Sequence, residues 1–105
     1  MAGITTHVLD TALGRPAAGI AITLEILRDT TWEPAASAVT NDDGRARMLE
    51  VSERATYRIT FDVASYNAEG FFPEVAIVFR VTQPEQHHHV PLLLSPFGYS
   101  TYRGS

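Results

Sequence analysis

The chain has 105 residues, a formal net charge of −4 and no cysteine, which suits one domain over residues 1–105 and excludes disulfides and thiolate metal ligands. Its basic residues are few and scattered, so we expect no nucleic-acid partner. No apolar run approaches the roughly 20 residues that cross a bilayer, and residues 1–7 lack the features of a signal peptide. We therefore expect no membrane contact and a cytoplasmic protein, the alternative being a chain whose leader has been removed.

Strand patterns separated by turn signals start near the N-terminus and are typical of an all-β sandwich or barrel. Residues 5–9 are rich in β-forming side chains, and residues 10–18 contain Gly14 and Pro16, which predict a turn. Apolar residues then alternate with smaller or polar ones over residues 20–26. This period of two predicts a strand with one buried face.

The middle of the chain is predicted to form a hairpin. A looser stretch around Trp32 and Pro34 precedes a strand over residues 37–40. The sequence Asn41-Asp42-Asp43-Gly44 is a strong turn signal. Residues 45–49 are then expected to return as the second strand of that hairpin.

The second half of the chain continues the strand pattern. Tyr57, Ile59 and Phe61 alternate with polar residues, and residues 62–69 form the one predicted helix, since an aspartate can cap its start and Gly70 can end it. Further strands are predicted over residues 75–79, 89–94 and 99–102. We therefore predict an all-β sandwich of seven or eight strands, paired antiparallel in two sheets, with one short helix.

Four histidines are the first candidates for chemistry: the run His87-His88-His89, and His7. In a strand, His87 and His89 project from one face and His88 from the other. Imidazole titrates near neutrality and also binds zinc, so a facing pair suits proton transfer or a metal. No Asp, Glu or Cys directly beside the run completes a metal-ligand spacing. From these residues alone, a solvated strand edge, a catalytic pair and a metal site all remain open.

Arg45 and the C-terminal segment are the other candidates. An arginine just after a turn is commonly a solvated edge residue, although its rigid fork also suits a planar heterocycle that carries carbonyl oxygens. Residues 99–105 combine β-forming and aromatic side chains and end in Tyr102-Arg103-Gly104-Ser105. We expect such a segment to dock on its own domain or across a subunit interface instead of fraying.

Several segments together resemble the transthyretin family, and the similarity covers essentially the whole chain. They are His7-Val8-Leu9-Asp10 with Gly14-Arg15-Pro16-Ala17, Thr40-Asn41-Asp42-Asp43-Gly44-Arg45, Phe71-Phe72-Pro73-Glu74, and His89-Val90-Pro91-Leu92-Leu93-Leu94-Ser95-Pro96 with residues 99–105. The tetrapeptide Tyr102-Arg103-Gly104-Ser105 is the most specific element and resembles the hydrolase branch of that family.

The resemblance implies a transthyretin-like β-sandwich that hydrolyses 5-hydroxyisourate, a cyclic amide, to 2-oxo-4-hydroxy-4-carboxy-5-ureidoimidazoline in urate degradation to allantoin. It also implies no cofactor, no metal, and a homotetramer, a dimer of dimers with its sites at the dimer–dimer interface. Its catalytic positions fall on His7, Arg45, His89 and Ser105, and its substrate-binding positions on Tyr102, Arg103 and Gly104. His87 and His88 match no invariant position, and the family often has an aromatic residue in place of His88.

The residue types suit this hydrolysis. We expect one of His7 and His89 to deprotonate the attacking water, with His89 favoured, while the other relays a proton. Arg45 would hold the ring carbonyls, and Ser105 or the backbone of the tail would hold substrate or water. The alternatives are a carrier of small ligands on the same fold, an accessory β-sandwich that binds other proteins, and a zinc hydrolase built on the histidine run.

Overall fold

The structure is a computed structural model that describes residues 3–50 and 53–105. Nine strands and one turn of 3₁₀ helix (Val63–Ser65) form this part of the chain. The strands are β1 (Gly3–Asp10), β2 (Arg15–Pro16), β3 (Ala21–Arg28), β4 (Thr31–Val39), β5 (Arg45–Glu50), β6 (Ala55–Asp62), β7 (Glu74–Val81), β8 (His88–Ser95) and β9 (Gly98–Thr101). Within these residues, no helix has the length and apolar character needed to cross a membrane.

The strands form two sheets. In the first sheet, β1 lies between β8 on one side and β5 and β2 on the other, and β9 pairs with β8. The second sheet has the order β4-β3-β6-β7. The predicted two-sheet, all-β sandwich is therefore confirmed, with the two-residue β2 as a ninth strand.

The expectation of antiparallel pairing throughout is wrong for one pair. Strands β1 and β8 run parallel, with Ile4 opposite His88 and Asp10 opposite Leu94. A parallel pair needs a long crossover connection, and here that connection contains the whole second sheet. The first strand, β1, and the late strand β8 thereby become neighbours in the centre of the first sheet.

The core lies between the two sheets, because successive side chains of a strand point to opposite faces. Its largest fully buried side chains include Tyr57 and Phe61 of β6, Leu24 of β3, and Ile4 and Leu92 of the first sheet. Burying one such side chain contributes about 1.5–3 kcal/mol. The alternate residues of β1, β5 and β8 face outward and are available to form a site.

The predicted hairpin around residues 41–44 is wrong, although the turn itself forms. The Asn41 side-chain oxygen accepts a hydrogen bond from the Arg45 backbone N–H at 3.0 Å. However, β4 pairs with β3 whereas β5 pairs with β1, so the chain crosses between the sheets at this turn. The Val8 N–H donates to the Gly44 carbonyl at 2.7 Å, which docks the turn on β1. The turn therefore places Arg45 at the start of β5, beside β1 in the first sheet.

The looser stretch predicted around Trp32 and Pro34 is also wrong, because both residues lie within β4. Proline lacks a backbone N–H and is tolerated at a sheet edge, and β4 is the edge strand of the second sheet. Pro34 pairs with Glu25 where the register shifts between Leu24 and Glu25. This irregularity accommodates the proline without ending the strand.

The helix predicted over residues 62–69 is limited to Val63–Ser65. Asp62 caps it as expected, since its side chain accepts a hydrogen bond from the Ser65 N–H at 3.3 Å. The Ala64 N–H, however, donates to the Pro73 carbonyl at 2.9 Å. This contact ties the segment to the start of β7, and a longer helix does not form.

A first prediction concerns Gly44, which has a φ of 73°. A Cβ here would collide with the Val8 carbonyl oxygen and would lie 3.0 Å from the Cβ of Pro16. We expect Gly44→Ala to lower the free energy of unfolding by at least about 2 kcal/mol, since it combines left-handed strain with a backbone collision. Urea denaturation measures this loss.

Gly14→Ala is the matched control for Gly44. Its φ is 69°, but a Cβ there meets no atom within 4 Å. Left-handed strain alone is expected to cost about 1–2 kcal/mol. Equal losses in the two variants would contradict a role for the collision with β1.

Candidate active site

Polar side chains collect on the outward face of the first sheet because of its pairing register. His7 of β1 pairs with Arg45 of β5, and Thr5 of β1 pairs with His89 of β8. Directly paired residues of neighbouring strands share one face of the sheet. The fold therefore places His7, Arg45 and His89 on one surface although they come from distant parts of the sequence.

An open depression of about 450 Å³ lies on this surface. Its lining residues are Thr5, Thr6, Asn41, Arg45, Ala46, Arg47, His87, His89 and Ser105. Three of the predicted catalytic residues, Arg45, His89 and Ser105, thus border one space. His7 is not part of the lining and lies beside it on the same face, opposite Arg45.

A larger cavity of about 730 Å³ lies on the second sheet but suits catalysis less well. Its arginine, Arg58, forms an ion pair with Glu25 at 2.7 Å and stacks over the Trp32 ring at 4.5 Å. Arg58 and Glu25 are therefore already paired with each other, and Glu74 is the other charged residue of the lining. No histidine lines this cavity, so we place the candidate site on the first sheet.

The histidine run divides between the two faces of β8, as its spacing predicts. His88 points inward and is only 3% exposed, whereas His87 and His89 lie on the outward side with ring centroids 6.3 Å apart. The Nδ1 atom of His88 is buried without a hydrogen-bond partner. The run is therefore neither a solvated strand edge nor a single cluster of three.

The Thr5 hydroxyl joins the two outward histidines. Its Oγ1 lies 2.7 Å from Nε2 of His87 and 2.9 Å from Nδ1 of His89. Because Nδ1 of His89 is held by this contact, Nε2 is the ring nitrogen that can exchange a proton with a substrate or water. Thr5 thereby orients the ring of His89.

The surroundings of His89 keep its ring neutral. Burial lowers its pKa below the ordinary value of 6.5, and electrostatic interactions with His87, Arg45 and His7 lower it further. A hydrogen bond with the Thr5 main chain opposes these effects. A neutral imidazole can accept a proton, so His89 is suited to act as a general base near neutral pH.

The C-terminal segment docks against His89. The Gly104 N–H donates to the His89 carbonyl at 2.8 Å, and the two residues form an antiparallel bridge. A Cβ on Gly104 would collide with Cδ2 of His89 and would lie 3.1 Å from its Cγ. Only glycine lets the tail approach this ring so closely, and the approach places Ser105 in the depression.

Two predicted substrate-binding residues lie elsewhere. Tyr102 and Arg103 line a neighbouring cavity of about 220 Å³ together with the buried His88 and with His89, which borders both spaces. Arg103 donates a hydrogen bond to the side chain of Gln86 at 3.1 Å. Within one chain, Ser105 is therefore the residue of the terminal tetrapeptide that lines the depression, whereas Tyr102 and Arg103 do not line it.

Sequence reasoning missed Thr5, Asn41 and Arg47 as residues of the depression. Thr5 and Arg47 each lie two residues from a predicted site residue on the same strand, so the strand period carried a usable signal. Asn41 was recognised as a turn residue. Its position in the site follows from the docking of the turn on β1, which no local pattern indicates.

The fold and the site together define a class: a β-sandwich whose first sheet carries histidines, an arginine and a docked C-terminal segment on its outward face. The sequence profile of the HIUase/Transthyretin family matches residues 4–104. The chain belongs to this family.

Relatives and solved structures of this family agree with the match. The chain is 44% identical to the 5-hydroxyisourate hydrolase of Deinococcus radiodurans, covering 98% of this chain and 96% of that protein. It is also 44% identical to the uric acid degradation bifunctional protein TTL of Arabidopsis thaliana, where 97% of this chain covers 37% of the longer protein.

Two solved structures have the same fold. The 5-hydroxyisourate hydrolase of Klebsiella pneumoniae superposes with a TM-score of 0.85 at 33% identity, covering both chains completely. Sea bream transthyretin in complex with thyroxine superposes with a TM-score of 0.87 at 29% identity, covering 97% of this chain and 94% of that one. The same fold thus occurs in an enzyme and in a protein solved in complex with thyroxine, so the fold alone does not define the function.

A second prediction concerns the buried His88. Burial and the charge of Arg103 lower its pKa below 6.5, so the unfolded chain takes up this proton at a higher pH than the folded chain. The free energy of unfolding therefore decreases as the pH falls below about 6.5. His89 adds to this decrease, because its pKa is also lowered in the folded chain. We expect a smaller free energy of unfolding at pH 5 than at pH 7.5 in urea titrations.

Replacing His88 tests the origin of this dependence. His88→Phe removes the unpartnered Nδ1, which costs about 1–3 kcal/mol when buried. We expect higher stability and a shallower dependence on pH. His87→Gln is the control, since His87 is exposed. An unchanged pH dependence in His88→Phe would show that other groups cause the acid instability.

Proposed function

We propose that this chain is a 5-hydroxyisourate hydrolase that opens the cyclic amide to 2-oxo-4-hydroxy-4-carboxy-5-ureidoimidazoline in urate degradation. One observation carries the proposal: Arg45, His89 and Ser105 border one depression, with His7 beside it. This arrangement occurs in a chain 44% identical to a 5-hydroxyisourate hydrolase along 96% of that protein's length.

The proposed reaction begins with water. Nε2 of neutral His89 takes a proton from a water molecule, whose oxygen attacks the amide carbon of the ring. The carbonyl oxygen then becomes negatively charged in a tetrahedral intermediate. Arg45 lines the same depression and stabilises this oxyanion, because its guanidinium carries a permanent charge and several N–H donors.

The intermediate collapses by breaking the carbon–nitrogen bond. His7, protonated beforehand, gives a proton to the leaving nitrogen, and the new carboxyl group ionises to a carboxylate. His7 lies opposite Arg45 on the face that carries the depression. In this mechanism His89 is the general base and His7 is the general acid.

The C-terminal segment completes the proposed site. Ser105 lines the depression, where its hydroxyl can hold the substrate or the attacking water. Gly104 fixes the position of Ser105 through its bridge to His89. We assign Tyr102 and Arg103 to substrate binding across a subunit interface, because within one chain they line a different cavity.

We propose a homotetramer, a dimer of dimers, with its sites at the dimer–dimer interface. The depression is open in a single chain, whereas stabilisation of an oxyanion is stronger where water is excluded. Strands β7 and β9 are the end strands of their sheets and carry the exposed Val78 and Tyr99. An unpaired strand edge with apolar side chains favours association with another chain.

The chemistry as written needs no metal or cofactor, since the side chains supply the base, the acid and the positive charge. A zinc site built on the histidine run would need further ligands. In residues 3–50 and 53–105, no group of three or more His, Cys, Asp or Glu side chains is placed to hold a metal ion. A cytoplasmic location remains a prediction.

A third prediction tests the activity directly. Fresh 5-hydroxyisourate, made from urate with urate oxidase, is followed by its ultraviolet absorbance with and without the protein, in the presence of a chelator. We expect faster decay with the protein, and His89→Ala should lower the rate at least about 100-fold, the usual contribution of a general base. Decay at the spontaneous rate with the folded wild-type tetramer would favour a ligand carrier instead.

A fourth prediction concerns Gly104. Gly104→Ala places a Cβ against the ring of His89, so we expect it to displace either the ring or the tail and lower kcat more than tenfold. The matched control is Gly98→Ala, on the same C-terminal segment, whose Cβ would meet Ser95 Oγ at an ordinary 3.6 Å. Full activity in Gly104→Ala would exclude the docked tail from the site.

A further inference from the structure

The Thr5 hydroxyl restricts which ring nitrogens of His87 and His89 can be protonated, because it contacts both rings. It holds one proton and can donate only one hydrogen bond. Since Oγ1 lies within 2.9 Å of a ring nitrogen of both His87 and His89, at most one ring can accept the hydroxyl proton, and at least one ring must donate to the oxygen. The protonation patterns of the two rings are therefore coupled.

In one arrangement both rings donate to Oγ1 and the hydroxyl proton points elsewhere, and in two others the hydroxyl proton bridges the rings. Only these last two connect the histidines through the hydroxyl. In the first of these two, His89 donates from Nδ1 to Thr5, and Thr5 donates to Nε2 of His87. In the second, His87 donates from Nε2 to Thr5, and Thr5 donates to Nδ1 of His89. Neutral His89 carries one ring proton. Its Nε2 is therefore unprotonated, and able to accept a proton, when Nδ1 donates to Thr5, whereas Nε2 is protonated when Nδ1 accepts from Thr5.

We propose that Thr5 and His87 are positioning residues for His89. They hold the His89 ring with Nε2 unprotonated, and they move the positive charge that His89 gains when it deprotonates water to the exposed ring of His87. This inference rests on the proposed function of His89 as the general base. His87 thereby gains a role in the reaction that the run of histidines alone does not reveal.

The relay is balanced in protons. Nε2 of His89 takes a proton from water, and the ring becomes positively charged. Nδ1–H of His89 then passes its proton to Thr5 Oγ1, while the original hydroxyl proton moves to Nε2 of His87. The hydroxyl is restored, no bond other than to hydrogen changes, and the positive charge has moved from His89 to His87.

The surroundings favour this direction. His89 is half-buried, and the charged groups that face it are His7 on β1, Arg45 and Arg47 on β5, and His87 itself. A positive charge on His89 is therefore disfavoured by burial and by its neighbours. His87 is exposed at the rim of the depression, where water solvates the charge while the reaction proceeds. Once the product has left, the Nε2 proton of His87 returns through Thr5 to Nδ1 of His89, and His89 releases its Nε2 proton to water, which restores both starting tautomers.

The first experiment reads the tautomer and does not depend on activity. Nitrogen-15 NMR of the histidine rings in the full-length protein distinguishes Nδ1–H from Nε2–H. We expect neutral His89 to be protonated on Nδ1, and we expect Thr5→Val to lose this preference while Thr5→Ser keeps it. An Nε2–H tautomer in the wild type, or an unchanged tautomer in Thr5→Val, overturns the proposal.

The second experiment measures turnover of 5-hydroxyisourate. Thr5→Val should lower kcat at least tenfold with KM changed less than twofold, and Thr5→Ser should restore most of the rate. The control is Thr11→Val, which removes a hydroxyl that bonds to the Leu94 carbonyl at the far end of β1. Equal losses in Thr5→Val and Thr11→Val would mean that the effect is only structural.

His87→Gln separates orientation from proton transfer, because an amide can accept the Thr5 hydrogen bond but cannot carry the proton. We expect the NMR tautomer of His89 to be kept, kcat to fall at least fivefold, and added imidazole to recover the rate at this exposed position. A full rate without imidazole overturns the relay. If wild-type protein has no hydrolase activity, the proposed function fails, whereas the tautomer experiment still decides the role of Thr5.

Discussion

The parallel pairing of β1 with β8 is the contact on which the rest of the molecule depends. It sets the start of the chain beside its last long strand, with Thr5 opposite His89 and His7 opposite Pro91. Because the connection between these strands contains the second sheet, the pairing also closes the sandwich. Without this register, the two outward histidines of the run would have no contact with Thr5 and no neighbour in His7.

The alternation of side chains along each strand then places the core residues on one face of the first sheet and the candidate site residues on the other. On β1, the inward Ile4, Thr6 and Val8 are buried, whereas Thr5 and His7 face outward. A shift of one residue would exchange these sets and expose the core. The hydrophobic core therefore holds the histidines in place, because any register that moved them would also unbury apolar side chains.

Local patterns predicted most strands because apolar alternation and turn residues act over a few positions. The structure differs from the local pattern at Pro34 and at residues 62–69, since a proline is tolerated at the edge strand β4 and the single helical turn docks on the residue before β7 through the Ala64 N–H and the Pro73 carbonyl. Both outcomes depend on neighbours that are distant in sequence. The same reason explains why the 41–44 turn was recognised while its crossing between sheets was not.

The sequence by itself determined the strand pattern, the opposite faces of His87 and His88, and the family. It also singled out His7, Arg45, His89 and Ser105, through a resemblance and not through geometry. Only the tertiary structure decided that these residues share one surface, that Thr5 joins two histidines, and that Tyr102 and Arg103 line another cavity. The physical reason is that alternation is a property of one strand, whereas pairing, burial and a lowered histidine pKa arise only when strands far apart in the chain meet.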